Sequence, residues 1–349
     1  MKSYKTKCLI FDSAIFAYLF LLVFVGVNSV LPMTDMSEDW LAQNMGRMAI
    51  IGSFIAIACA GLSFFLNHIR QFTLGEVLFA PPHIKIIITE KPFIKSFWGW
   101  QLFLTLILTL VAGIKITDFS FAELADPDGL HGAMRLFGGL LSPNLDLLPL
   151  AILKIIETIY IAFLATAIAI PIAFFMSFIC AKNIMTHPLA FTVYGILRTL
   201  LNITRSVEPL IWAIIFSVWV GIGPFAGMLA LMIHSIASLT KQYSEIVESV
   251  NEGPIEGIQS TGANMVQVIW FAIVPQIILP YVAFTIYRWD INVRMATIIG
   301  LVGGGGIGTM LIKYQGQAMW QEVGCIIMVI AAVVWLMDTA SAYIREAIK

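Results

Sequence analysis

Stretches of the length a helix needs to cross a bilayer, roughly 20 apolar residues, recur along this chain. They run over residues 11–31, 48–66, 97–116, 147–181, 207–222, 225–239, 276–302 and 323–343. Hydrocarbon offers no water to backbone N–H and C=O groups, so such a segment must pair them internally, as a helix. The composition agrees: 59% of the 349 residues are hydrophobic and 12% charged, with a mean hydropathy of +0.91. Soluble domains carry about a quarter charged residues. The expected fold is an all-α polytopic membrane protein with about eight transmembrane helices.

Loop charges orient these helices, because Lys and Arg stay on the cytoplasmic side. Lys2, Lys5 and Lys7 precede the first span, Arg70, Lys85, Lys91 and Lys95 follow the second, and Lys182, Arg198 and Arg205 follow the fourth. The 32–46 segment instead holds Asp35, Glu38 and Asp39, and the 117–146 segment holds five acids against Arg135. Both termini are expected in the cytoplasm, with Arg47 and Lys115 as mild exceptions. No small-residue cleavage pattern follows the first span, which reads as a retained anchor. A net charge of −1 argues against nucleic acid as a partner. Cys8, Cys59, Cys180 and Cys325 are scattered and form no zinc or disulfide pattern.

The orientation also places 244–275 in the cytoplasm. There Gly253 and Pro254 stop the arriving helix, Pro254 suits the first turn of a new one, and Gly262 ends it after about two turns. Asn264 with Gln267 three residues on reads as a capping box. Pro275 and Pro280 are expected to break the chain again.

Glu256-Gly257-Ile258, Gly262 six residues after the glutamate, and Pro275 thirteen residues later resemble the EAA signature of ABC-importer membrane subunits. Gly257 and Ile258 stand where that signature has alanines, Ala272 where it has Ile, and Val274 where it has Leu before the proline. YRWDINVR at 287–294 and GLVGGGGIG at 300–308 look like the permease of the phosphonate/phosphite branch. The resemblance covers roughly 138–343. It implies an N-terminal membrane extension of three helices over 1–145 and a five-helix permease core over 146–349, with a coupling helix near 252–262. It also implies an inner-membrane homodimer, two ABC ATPase subunits that hold ATP and magnesium, and an extracytoplasmic solute-binding protein. The chain itself would then hold no cofactor and be no enzyme. The implied cargo is phosphonate, phosphite or a related phosphorus oxyanion.

Within this frame Glu256, Gly257, Gly262 and Pro275 are the ATPase-coupling candidates, although a loop glutamate is often merely solvated. Arg288, Asp290, Asn292 and Arg294 fall near mid-membrane, where a charge costs on the order of 3 kcal/mol or more and faces a cavity or a partner. Asp290 and Arg294 are four apart and can pair. That leaves either a structural ion pair or, since two arginines meet one carboxylate, a spare guanidinium. Arg288 or Arg294, with Asn292, would then line the path of an oxyanion, which the guanidinium fork suits. Gly303, Gly304, Gly305, Gly306 and Gly308 contain GxGxxG, but without a surrounding βαβ unit. Close helix packing and a flexible gate remain open for them. His234 reads as a packed neutral ring. The rival readings are an ATP-independent transporter using Asp290 and His234, a lipid-phosphate enzyme, for which the five histidines are too dispersed, and an ABC permease for another solute such as an amino acid.

Overall fold

A computed structural model describes residues 2–28, 73–82, 96–185 and 187–348, with single positions 58, 61, 65 and 93 besides. The expected span at 48–66 lies outside the described residues except at positions 58, 61 and 65. The described chain is helical throughout and forms two compact units, Met1–Leu130 and His131–Lys349.

In the first unit, α1 (Lys2–Asn28) and α3 (Phe97–Ile116) flank the short α2 (Leu74–Phe79). Asp12 of α1 is buried, and its carboxylate accepts from Thr73 Oγ1 and from Gly75 N at 2.9 Å. Gln101 Oε1 of α3 takes Leu74 N at 3.0 Å. These two side chains satisfy backbone donors that the first turn of α2 leaves without intrahelical partners. Ser96 caps α3 by accepting from Gly99 N at 3.2 Å.

Helix α4 (Pro127–Leu141) crosses the division between the units and occupies part of the 117–146 segment that the sequence reads as an outer loop. The second unit continues with α5 (Leu148–Ile179), α6 (Pro188–Ser206), α7 (Pro209–Val220) and α8 (Pro224–Glu248). Then come α9 (Glu252–Gln259), α10 (Met265–Val268), α11 (Val274–Gly300), α12 (Ile307–Gly316) and α13 (Trp320–Ile348). Helix α5 runs unbroken through Pro171 and turns a stripe of small residues inward, Ala151, Ala162, Ala165, Ala169 and Ala173, all fully buried. Without a side chain to hold them apart, helices approach closely along such a stripe. For Ala162 and Ala165 the partners are α8 and α11, whose Ala226, Ala230, Leu231, Val293, Ala296 and Ile299 belong to the same core.

Four helical stretches among the described residues are long and apolar enough to cross a membrane: 97–115, 145–179, 265–300 and 320–348. The remaining sequence spans differ for physical reasons. Helix α7 has 12 residues, about 18 Å at 1.5 Å per residue, which falls short of a hydrocarbon core of about 30 Å. It joins α6 across a 91° bend, and the two make a fifth span only if counted together. Helix α8 reaches beyond the expected 225–239 to Glu248, with Ser235, Ser238, Thr240, Tyr243 and Ser244 buried against its neighbours. A helix enclosed by other helices needs no lipid-facing apolar surface, which explains its moderate apolarity. Pro280 does not break the chain as the sequence suggests: it sits inside α11, while Pro275 occupies the first turn.

Candidate functional site

The short helix α9 projects from the core on two fixed ends. Its N-cap is Asn251, whose Oδ1 accepts from Gly253 N at 3.1 Å; the start is therefore two residues earlier than Pro254. Gln276, in the first turn of α11, clamps that cap from both sides: Asn251 N donates to its Oε1 at 3.0 Å, and its Nε2 donates to Asn251 O at 3.4 Å. At the far end Gly262 turns the chain at φ +82°, a conformation open to glycine and costly to other residues. The capping box is present as expected, Gln267 N to Asn264 Oδ1 at 3.0 Å and Asn264 N to Gln267 Oε1 at 2.9 Å. Glu256 and Gly257 are exposed on α9, and nothing lies within 4 Å of a Cβ placed on Gly257. Behind α9, Glu248 Oε1 joins the end of α8 to Arg198 of α6 at 2.7 Å and to Lys182 N at 2.9 Å. Two fixed ends and an uncontacted, exposed surface suit a lever that presses on something outside the chain.

The four polar residues of the YRWDINVR stretch separate onto two faces. At 100° per residue, 288 and 292 point one way and 290 and 294 the other. On the second face Arg294 contacts Asp338 of α13 at 2.7 Å and Asp290 at 3.8 Å. Asp338 was invisible to the sequence count of two arginines to one carboxylate. On the first face Arg288, 8% exposed, donates from Nε to Ser235 Oγ of α8 at 3.1 Å. Among the described residues no carboxylate lies within 4.0 Å of it, and neither Nη has an acceptor. Asn292, fully buried, donates from Nδ2 to Thr166 Oγ1 of α5 and to Ser235 Oγ, both at 2.8 Å, while its Oδ1 has no partner among the described residues. Arg288 and Asn292 thus come together with Ser235 and Thr166 from two other helices, and Asp290 and Arg294 do not join them.

The same face continues toward the N-terminal end of α11 through Thr285 and Tyr281. Tyr281 stacks on Tyr243 of α8 with ring centroids 3.8 Å apart and shares a hydrogen bond with Ser177 of α5 at 2.9 Å. A cavity of about 240 Å³ opens beside them, lined among others by Phe174, Tyr243, Tyr281 and Thr285.

The glycine run forms the turn between α11 and α12. Gly303, Gly305 and Gly306 have φ of +89°, +80° and +71°. A Cβ on Gly305 would meet Pro224 at 2.7 Å, and one on Gly308 would meet Gly300 Cα at 2.8 Å. Gly306 N donates to Glu157 Oε1 at 3.0 Å and Ile307 N to Thr158 Oγ1 at 2.8 Å, both on α5. Gly304, Gly305, Gly306 and Gly308 are buried, so this backbone is packed against the starts of α8 and α12 rather than open around a nucleotide. Groups of His, Cys, Asp or Glu able to hold a metal ion are absent among the described residues.

The family described as "Binding-protein-dependent transport system inner membrane component" matches residues 173–348. The phosphite transport system permease protein PtxC of Stutzerimonas stutzeri is 37% identical over 246 residues, covering 69% of this chain and 88% of that protein. The phosphate-import permease protein PhnE of Mycolicibacterium smegmatis is 32% identical over 215 residues, 61% of this chain and 40% of that one. Among solved structures, the inward-facing MetNI methionine ABC transporter superposes with a TM-score of 0.51 at 20% identity, covering 59% of this chain and 99% of that chain. At that identity the likeness concerns the fold.

Proposed function

As the chain belongs to the family of binding-protein-dependent transport system inner membrane components, we propose that it is the permease of an ATP-driven importer for phosphite, phosphonates or a related phosphorus oxyanion. The observation that carries the cargo class is Arg288: a guanidinium, buried about 21 Å along α11, held at Nε and left without an anion among the described residues. A desolvated cation without a partner is costly, and a transient oxyanion would relieve that cost by accepting from its fork of N–H donors. The similarity to a phosphite permease over 88% of that protein's length supports the same cargo.

In this reading two copies of the chain enclose the path, both termini lie in the cytoplasm, and a solute-binding protein delivers cargo from outside. Two ATPase subunits, which carry the ATP and magnesium, receive Glu256 and Gly257 of α9. The clamp from Gln276 to Asn251 and the turn at Gly262 make α9 a rigid arm, so movement of the ATPases would be passed to α11, where Arg288 lies. Closure around ATP would open the path outward and hydrolysis would reset it, as alternating access requires. The packed glycine turn between α11 and α12 would hold these helices in register and could serve as the gate.

The test is ATP hydrolysis by the reconstituted complex with candidate binding proteins across methylphosphonate, 2-aminoethylphosphonate, phosphite, phosphate and methionine. Stimulation by the phosphorus compounds is expected. Stimulation by methionine alone would keep the importer and discard the cargo, and the absence of hydrolysis with every partner would discard both.

A further inference from the structure

Close to Arg288 lies a group that the sequence reads as packing alone. His234 precedes Ser235, the residue that holds Arg288 Nε, and stands near the 91° bend between α6 and α7. Its Nδ1 is 3.3 Å from Val207 O. A carbonyl only accepts, so Nδ1 carries the proton of this hydrogen bond, and in the neutral ring Nε2 is left with a lone pair. Among the described residues nothing donates to Nε2, and no carboxylate lies within 4.0 Å of the ring. Two adjacent positions of α8 thus carry the hydroxyl that holds Arg288 and a ring whose Nε2 is a fixed acceptor.

We propose that Arg288 and His234 form a cargo site for a singly protonated oxyanion, in which the charged oxygens accept from Arg288 Nη1 and Nη2 and the remaining P–OH donates to His234 Nε2. Phosphite, phosphonates and phosphate have a protonated form that offers both features; sulfonates and sulfate at neutral pH offer the oxygens without the hydroxyl. A site with a dedicated acceptor rejects a ligand lacking the matching donor, because the acceptor is left desolvated and unpaired. His234 would therefore set specificity, while Arg288 sets affinity for the charge. This inference rests on the phosphorus reading above.

The experiment compares uptake of methylphosphonate with that of its monomethyl ester, which keeps one negative charge and has no P–OH. Proteoliposomes hold the whole importer with one binding protein in excess, so that protein's own preference cancels when permease variants are compared. In His234→Met the preference for the free acid over the ester should fall about tenfold, and in His234→Gln, which restores an amide acceptor, it should largely return. Arg288→Lys should lower uptake of both ligands and leave their ratio in place. Should His234→Met fail to assemble, the ratio in His234→Asn, whose shorter amide cannot reach as far, decides in the same way. An unchanged ratio in an assembled His234 variant overturns this inference alone. A wild-type importer that moves neither compound but responds to another solute overturns the phosphorus reading, and this inference with it.

Discussion

On one face of α11 Arg294 lies between two carboxylates, Asp338 and Asp290; on the other, six residues earlier in the same helix, Arg288 meets a hydroxyl and no carboxylate. The residue type and the helix are the same, and only the compensation differs. A compensated arginine joins α11 to α13 and is finished once the fold is made. An uncompensated one keeps its donors available, which makes it a place for a ligand rather than a seam. The site candidates within this stretch are therefore divided by face, not by position along the membrane.

Breaking the uncompensated face should have the largest effect. Arg288→Ala removes a charge that no carboxylate among the described residues depends on, so the complex should assemble with normal yield while phosphonate uptake falls about a hundredfold or more, the size typical of a lost charged contact; wild-type uptake would erase the distinction between the faces. Asn292→Leu should act next, and through stability. It removes both bonds to Thr166 and Ser235, at about 1–3 kcal/mol for the polar groups left unpaired, offset in part because Asn292 Oδ1 already lacks a partner among the described residues. A lowered thermal midpoint in detergent is expected; an unchanged midpoint with lost uptake would make Asn292 a ligand contact instead. Asp338→Asn should be the mildest. The Arg294 and Asp338 side chains are 50% and 47% exposed, and Asp290 remains to face Arg294, so uptake should stay within about threefold, in line with pairs worth about 1 kcal/mol or less when exposed. A loss as deep as that of Arg288→Ala would place the path on the α13 side.

Much of this was legible from local spacing. The four-residue intervals 288–292 and 290–294 already separate two faces, and the Asn264–Gln267 capping box and the turn at Gly262 follow from residue chemistry within a few positions. The partners did not. Asp338, Ser235 and Thr166 reach α11 from three other helices, and nothing in the sequence pairs them with it. The 182–206 segment reads by its charges as a cytoplasmic connection, yet most of it is the helix α6, bent sharply into a 12-residue α7. Pro280 reads as a break because an interior proline usually costs a hydrogen bond, but packing against α5 and α8 carries α11 through it.

The most direct test of the division between faces is thiol labelling in the assembled importer, with the native cysteines replaced by serine. Arg288→Cys and Arg294→Cys complexes are exposed to a charged, membrane-impermeant methanethiosulfonate during ATP turnover, with and without methylphosphonate. The account predicts that Arg288→Cys is modified and that cargo slows its modification, while cargo has no effect on Arg294→Cys. Protection at position 294 with an inert position 288 would contradict it.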